Sequence, residues 1–256
     1  MPRSVMDRRV ITGKLRHALR GMRQTLWRES HRACRKVARP FVHLPEIELD
    51  ALVRDDLPLE PPILDDICMP PYYGPSDHDD FVPLMRIVRF LQPVRVVELG
   101  TAHGNTIANI CRQSPRSRVL TVNAPLEVQT GLVTTFDLSA DDIGRVYRRH
   151  GFADRVTQLF QNTLQLDLAP QIPRGSVDLA IIDACHDTAY VLNDFQKVEP
   201  YLRPSGIVLF HDTYPSVTPS HLDGSYRACL RLRRQGFDIR HLRNTWWGVW
   251  VKPVRS

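Results

Sequence analysis

Short apolar runs alternate with amphipathic stretches over the C-terminal part of the chain. The apolar runs are typical of buried strands and predict strands at residues 94–99, 119–122, 156–160, 177–182, 207–210, 238–242 and 246–251. The stretches between them predict helices at residues 140–150, 188–202 and 225–235. An earlier amphipathic helix, with Asp79 or Asp80 near its N-terminus, is predicted to end at Gln92-Pro93.

The order of these elements predicts the fold class. Strands separated by helices favour a parallel sheet with right-handed crossovers. The last two predicted strands are joined only by residues 243–245, which favours an antiparallel C-terminal hairpin. We therefore expect an α/β fold at residues 79–256: a doubly wound, Rossmann-like, mostly parallel seven-stranded sheet, preceded by an N-terminal helical extension.

The N-terminal segment, residues 1–43, has a different pattern. Residues 8–36 place apolar side chains at helical spacing with arginines between them, at Ile11, Leu15, Leu19, Met22 and Leu26. Residues 1–40 carry a net charge of +10, whereas the whole chain carries +6. The basic character therefore belongs to this segment, and the rest of the chain does not have the charge expected of a nucleic-acid-binding domain.

Three interpretations of this basic amphipathic helix remain open. It could lie on an anionic membrane surface. It could resemble an organellar transit peptide, which is Arg-rich and poor in acidic residues. It could also pack against an acidic segment of its own chain or against a second subunit, forming a homo-oligomer contact. The N-terminus has no apolar region of a secretory signal, and we expect a cytoplasmic protein.

The next segment, residues 44–78, is acidic and proline-rich. Residues 44–82 contain eleven Asp or Glu and a single basic residue, Arg54. Prolines remove backbone donors and disfavour helix, so this linker is predicted to be mostly extended chain and turns. A long ordered loop ahead of such a domain is often a lid over the substrate. Tyr72 and Tyr73 near its tip could stack on a ligand or could simply pack the linker onto the core.

The loop after the first predicted strand is the candidate cofactor site. Ligands of open parallel sheets bind beyond the carboxyl ends of the strands. The loop has an acidic residue followed by G-x-x-x-G, with two of the three glycines of a dinucleotide fingerprint and no phosphate-binding Lys-Ser/Thr. This pattern favours an amino-acid-like sulfonium ligand, S-adenosylmethionine. The predicted contacts in this loop are Glu98, Gly100, Thr101, Ala102, His103, Gly104, Asn105 and Thr106.

Other cofactor contacts are predicted at the ends of later strands. Asn123 ends the second strand, where an acidic side chain usually binds the ribose hydroxyls, and an amide can still donate and accept. Asn162 and Thr163 follow the third strand, where an adenine contact is expected. Asp183 and Ala184 follow the fourth strand and complete the predicted set.

Acidic and histidine residues cluster at the ends of the fourth and fifth predicted strands. Asp183 and His186 follow the fourth strand, and His211 and Asp212 follow the fifth. Neighbouring carboxylates repel each other unless they share a proton or a cation, so a divalent metal site is expected at Asp183, Asp212 and His211. Mg²⁺ is the favoured ion and Mn²⁺ the alternative, since imidazole suits Mn²⁺ better. His186 is predicted as the base that removes a substrate proton.

These motifs resemble a known family. The run from Ile181 to Tyr190, then Asp194, then Leu202 to Gly206 and Phe210-His-Asp212, is similar to class I S-adenosylmethionine-dependent methyltransferases. It resembles most the metal-dependent O-methyltransferases of macrolide sugars and their relatives called cephalosporin hydroxylases. The resemblance covers about residues 79–252. It implies a metal-binding Asp183 and a base at His186, while His211 stands where the family has an acidic residue.

Taken together, the sequence predicts an O-methyltransferase that uses S-adenosylmethionine and a divalent metal to modify a hydroxyl of a small molecule, a sugar or a polyketide-type product. Asp183 and His186 are the predicted catalytic residues. The alternative is a non-catalytic S-adenosylmethionine-binding subunit that docks to a partner or a membrane through its basic N-terminal helix. A nicotinamide oxidoreductase is disfavoured by the missing third glycine.

Overall fold

The computed structural model describes residues 43–54, 57–65, 81–126, 138–213 and 223–254. From Leu44 onward these residues belong to one compact unit. The predicted basic helix at residues 8–36 lies outside the described residues, as do Tyr72, Tyr73 and the predicted helix start at Asp79 or Asp80. None of the helices in the described ranges has both the length and the hydrophobicity needed to cross a bilayer.

The described elements alternate between strand and helix after residue 81. In chain order they are β1 (Glu46–Ile47), α1 (Phe81–Leu91), β2 (Arg95–Leu99), α2 (Asn105–Gln113), β3 (Arg118–Asn123), α3 (Arg145–Arg149), β4 (Val156–Phe160), β5 (Val177–Ile182), α4 (Thr188–Val198), β6 (Leu202–Phe210), α5 (Gly224–Arg234), β7 (Arg240–Leu242) and β8 (Gly248–Val251). Short 3-10 turns lie at Leu49–Ala51, Ala153–Arg155, Thr163–Gln165 and Glu199–Tyr201.

The strands form one mostly parallel sheet in the order β1-β7-β8-β6-β5-β2-β3-β4. β8 runs antiparallel to both β6 and β7, which confirms the predicted C-terminal hairpin. The sheet has eight strands in the described residues rather than the predicted seven. The additional strand, β1, comes from the acidic segment and pairs in parallel with β7 at the sheet edge. A strand of only two residues is too short to give a recognisable pattern in the sequence.

Two predicted helices are shorter in the structure. The helix expected at residues 140–150 is limited to Arg145–Arg149, because Gly144 precedes it in the left-handed conformation with φ 72° and ends the turn before it. The helix expected at residues 188–202 ends at Val198 and continues as the 3-10 turn Glu199–Tyr201. Pro200 lies within that turn and has no N–H to continue an α-helical ladder.

The sheet is buried on both faces. Alternate residues of a strand point to opposite sides, and in β5 Leu179 and Ile181 face one apolar cluster while Ala180 and Ile182 face the other. The first cluster includes side chains of α1, α2 and α3, and the second includes those of α4 and α5. This three-layer arrangement leaves the carboxyl ends of the parallel strands as the open rim on which a ligand site can form.

Candidate active site

Strand register places the predicted site residues side by side on this rim. Leu99 of β2 pairs with Ile182 of β5, and Ile182 pairs with Phe210 of β6. The residues that follow these three are Gly100, Asp183 and His211. The cofactor loop and the two loops that begin at Asp183 and His211 therefore leave the sheet at the same level. The prediction that Asp183 and Asp212 converge is therefore supported by the pairing of β5 with β6.

Gly100 lies where a side chain has no room. Its φ is 107°, and a Cβ there would lie 2.1 Å from the carbonyl oxygen of Asp183. Gly100 N–H donates to the Val122 carbonyl at 2.8 Å, and Asp183 N–H donates to the Leu99 carbonyl at 2.8 Å. The cofactor loop is thus pressed against the backbone of the acidic motif, and only glycine permits that approach.

The rest of the cofactor loop is braced by neighbouring backbone and by an amide. Ala102 has a left-handed φ of 43°, and its N–H donates to Asn123 Oδ1 at 3.2 Å. Its carbonyl accepts from Gly144 N–H at 2.8 Å, and the His103 carbonyl accepts from Val146 N–H at 2.9 Å. Asn123 stays a predicted ribose contact, and in the structure its side chain holds the loop in shape. Thr106 is half-buried in the first turn of α2.

Glu98, also predicted as a cofactor contact, lies beneath the loop. It is 1% exposed, and its Oε2 accepts from Thr121 Oγ1 at 2.8 Å. Thr121 in turn lies 2.7 Å from Thr101 Oγ1, to which Gln158 Nε2 donates at 2.9 Å. Burial raises the pKa of Glu98 well above its usual value. Glu98 supports the loop through its bond with Thr121.

The polar residues after β4 are tied to the chain itself. Asn162 Oδ1 accepts from Leu164 N–H at 3.0 Å and caps the short turn that follows. Thr163 is buried, and its carbonyl accepts from Asn193 Nδ2 of α4 at 3.0 Å. The predicted adenine contacts therefore stand on a loop that α4 fixes. Asn105, at the start of α2, donates to the carbonyl of Asp65 at 2.5 Å.

Two carboxylates and two imidazoles meet beside the cofactor loop. His186 Nε2 lies 3.4 Å from Asp183 Oδ1 and 2.8 Å from Asp212 Oδ2. His211 Nδ1 lies 3.2 Å from Asp183 Oδ1 and 3.5 Å from Asp212 Oδ1. We call these four side chains the rim cluster. Ala184, between Asp183 and His186, is half-buried.

Each histidine in the rim cluster faces a carboxylate, and the pKa values of His186 and Asp183 are shifted. Burial by itself would lower the pKa of His186, but Asp183 and Asp212 outweigh it and raise the pKa to about 9. Burial would likewise raise the pKa of Asp183, but the nearby charges of His211 and His186 hold it well below its usual range. The isolated cluster therefore favours ionised Asp183 with protonated His186 at neutral pH, a state in which His186 cannot accept a proton.

The donor atoms of the rim cluster fit a divalent cation. One ligand atom each from Asp183, His186 and His211 lies within 4.8 Å of the other two. The predicted metal residues Asp183 and His211 are in this group, and Asp212 touches both imidazoles from close range. A cation bound there would offset the negative charge of the two carboxylates. His186, predicted only as a base, is also a member.

Three residues that support the site were not singled out from the sequence. Trp246 and Trp247 were predicted as part of a strand, but they precede β8 and pack against the His211 ring, with centroids 6.3 Å and 4.6 Å away. Gly224 contacts the other histidine loop, because a Cβ there would lie 1.8 Å from the His186 carbonyl oxygen. In the sequence, the two adjacent tryptophans are the one feature that could have indicated this support. The apolar pattern instead places them in a strand of the core.

Comparison with known proteins agrees with this geometry. Residues 97–213 match the family model described as a methyltransferase domain. The matched span begins in β2, includes the cofactor loop and ends just after Asp212. Residues 97–213 are therefore similar to a methyltransferase domain.

Individual relatives are more distant. An uncharacterized protein, y4gI of Sinorhizobium fredii (strain NBRC 101917 / NGR234), is 30% identical over 129 residues, which are 50% of this chain and only 14% of that protein. Podospora anserina methyltransferase PaMTH1, solved with S-adenosylhomocysteine, is 14% identical over 67% of this chain and 76% of its own, with a TM-score of 0.50. A proposed caffeoyl-CoA O-methyltransferase from Staphylococcus aureus is 13% identical over 67% and 82%, also with a TM-score of 0.50. These two structures share the fold.

Proposed function

We propose that the chain is an S-adenosylmethionine-dependent O-methyltransferase that modifies a hydroxyl of a small molecule, a sugar or a polyketide-type product, with the help of a divalent metal. One observation carries the proposal: the cofactor loop and the rim cluster leave adjacent paired strands, so that Gly100 contacts the backbone of Asp183. A methyl donor in the loop would therefore stand next to a group of acids and imidazoles that can hold an acceptor.

Oxygen is the favoured acceptor atom because of the charges at the rim. A hydroxyl must lose its proton to become a strong nucleophile, and a cation held by the rim carboxylates would make that loss easier. The sequence resemblance to metal-dependent O-methyltransferases, which includes Asp183 and Asp212, supports the same atom. The sugar or polyketide class of the acceptor rests on that resemblance alone.

The predicted metal residues Asp183, His211 and Asp212 would hold the cation. When bound, a divalent ion at this position supplies positive charge that lowers the pKa of a nearby hydroxyl. Asp183, through its backbone contact with Gly100, fixes the distance between the acceptor and the methyl donor. Positioning of this kind can supply about 7–11 kcal/mol of a barrier.

The transfer itself makes one bond and breaks one bond. The acceptor O–H gives its proton to the rim cluster or to solvent, and the oxygen attacks the methyl carbon in line with sulfur. The carbon–sulfur bond breaks, and its electron pair remains on sulfur as the sulfonium becomes a neutral thioether. The products are the methyl ether, S-adenosylhomocysteine and one proton, so charge and atoms balance.

The test is transfer of a labelled methyl group from S-adenosylmethionine to a panel of hydroxylated sugars and polyketides. Asp183→Ala and His186→Ala are each expected to lower turnover by roughly 10²–10⁴-fold, the usual contribution of acid–base groups, while cofactor binding remains measurable. Asp187→Ala is the matched control, since Asp187 is exposed and adjoins His186 in sequence. Near-wild-type rates from both variants would rule the proposal out.

A further inference from the structure

The rim cluster brings five donor atoms close together, namely His186 Nε2, His211 Nδ1, Asp183 Oδ1 and both carboxylate oxygens of Asp212. Ligand atoms about 2.1 Å from a shared metal are about 3.0–3.4 Å from each other. The four separations between imidazole nitrogens and carboxylate oxygens in the cluster are 3.4, 2.8, 3.2 and 3.5 Å. His186 Nε2 takes part in two of them. Its ring nitrogen is therefore placed among the candidate metal donors, as is shown by the group of Asp183, His186 and His211 atoms that all lie within 4.8 Å of one another.

The His186 imidazole is buried, and its ring nitrogen Nε2 lies close to the two carboxylates of the rim cluster. The side chain is 12% exposed, and both ring nitrogens are buried without a partner in hydrogen-bond geometry, although Asp212 Oδ2 is close to Nε2. Burying such a group without a partner is unfavourable. Gly224 packs against the His186 backbone carbonyl, where a Cβ would lie 1.8 Å from its oxygen. A metal ion bound at Nε2 would give that nitrogen a partner without any movement of the ring.

The second imidazole is held just as firmly. Trp247 meets the His211 ring edge-to-face at 61°, and Trp246 stacks beside it at 23°. The next residue, Asp212, has a left-handed φ of 56°, which a non-glycine residue adopts at a cost, and both of these consecutive side chains contact His186 or Asp183. The two imidazoles and the two carboxylates of the rim cluster are thus held in orientations that face one another.

We propose that His186 is a metal ligand together with Asp183, His211 and Asp212, and that this set binds Mn²⁺, Fe²⁺ or Zn²⁺ in preference to Mg²⁺. The inference rests on the metal-assisted function proposed above. It adds which class of metal ion that site binds. Mg²⁺ prefers an octahedron of oxygens with several waters, whereas imidazole suits the later divalent metals. A ring nitrogen that binds the cation has no lone pair left for a substrate proton, so His186 would not be the base.

Metal binding to the full chain, stripped with a chelator, tests this directly. Titration calorimetry with Mn²⁺, Zn²⁺ and Mg²⁺ is expected to give dissociation constants at least about 100-fold lower for Mn²⁺ and Zn²⁺ than for Mg²⁺. His186→Gln is expected to weaken Mn²⁺ binding by at least about tenfold, since loss of even an outer contact costs 10–100-fold. His150→Gln, a change at a half-buried histidine bonded to Asp65, is the matched control and should bind as the wild type does.

Pulsed electron paramagnetic resonance of bound Mn²⁺ gives a readout that needs no variant. Two directly bound imidazole nitrogens are expected in the wild type and one in His186→Gln. Equal affinity for Mg²⁺ and Mn²⁺, coupling to one nitrogen or to none in the wild type, or no metal binding would each overturn the inference. The outcome is separable from the proposed function, because methyl transfer that depends on Asp183 could persist when His186 binds no metal.

Discussion

Asp194, on α4, shows at the scale of single residues how the fold holds polar groups near the site. It is fully buried beside Thr163, and Asn193 Nδ2 donates to its Oδ1 at 3.1 Å. Burial raises its pKa to about 6, only partly offset by bonds with Thr163 and Asn193. The folded chain therefore binds the Asp194 proton more tightly than the unfolded chain does.

This raised pKa gives Asp194 a definite effect on stability. Below pH 4 the group is protonated in both states, and from pH 4 to pH 6 the unfolded state ionises first, so its contribution to stability falls as pH rises. Asp194→Asn cannot ionise. Its free energy of unfolding relative to the wild type should rise by up to roughly 3 kcal/mol between pH 4 and pH 7. Parallel urea-unfolding profiles of the two proteins over this range would contradict the prediction.

Residue-scale chemistry was only partly accessible from the sequence. Asp183, His186, His211 and Asp212 could be named because residues after parallel strands share a rim. The direction of the Glu98 side chain could not be predicted. A shift of one residue along a strand decides whether an acid near its end faces a ligand or the interior. The orientation of Asn123 toward Ala102 depends on a left-handed turn that no residue type in the loop requires.

At the scale of elements, α2 carries a row of amides that holds the extended acidic segment. Asn109 accepts from Ile63 N–H at 2.8 Å and donates to the Ile63 carbonyl at 2.9 Å. Gln113 bonds both backbone groups of Glu60 in the same way. Asn105 continues the row one turn earlier. The three side chains replace a strand partner for residues 60–65 and lead that segment to the cofactor loop.

Removal of one amide from this row should loosen the segment. Asn109→Leu keeps the volume but leaves the buried N–H and C=O of Ile63 without partners, at a cost of about 2–4 kcal/mol in the free energy of unfolding. Arg112→Ala, on the exposed side of the same helix, removes one bond to the Pro61 carbonyl and should cost less than about 1 kcal/mol. Equal losses in chemical denaturation would show that the amide row is not what holds the segment.

The element pattern explains which predictions succeeded. The long apolar run at residues 177–182 is buried on both faces and coincides with β5. Where the periodicity is weak, the predicted ends of strands differ from the ends in the structure. The acidic segment is predicted to be extended chain and turns, and residues 58–64 contain neither helix nor strand. Its contribution of β1 to the sheet depends on backbone pairing rather than on side chains. Composition carries no signal for that pairing.

At the scale of the whole molecule, the site exists because three parallel strands end at one level. Leu99, Ile182 and Phe210 are paired across the sheet, and the loops that follow them supply the cofactor site and the rim cluster. A change of register in β5 would separate these loops by one residue and turn Asp183 away. The proposed methyl transfer therefore depends on a contact that the fold creates, between Gly100 and the backbone of Asp183.

Binding of S-adenosylmethionine to the full chain, measured by calorimetry, tests this account most directly. The wild type should bind one equivalent, and Gly100→Ala should bind at least about tenfold more weakly, a loss of about 1.4 kcal/mol or more. Gly236→Ala is the control, because Gly236 has a similar φ of 98° but no atom within 4 Å of an added Cβ. It should bind the cofactor as the wild type does. A wild type without affinity for S-adenosylmethionine, or a folded Gly100→Ala variant with unchanged affinity, would contradict the account.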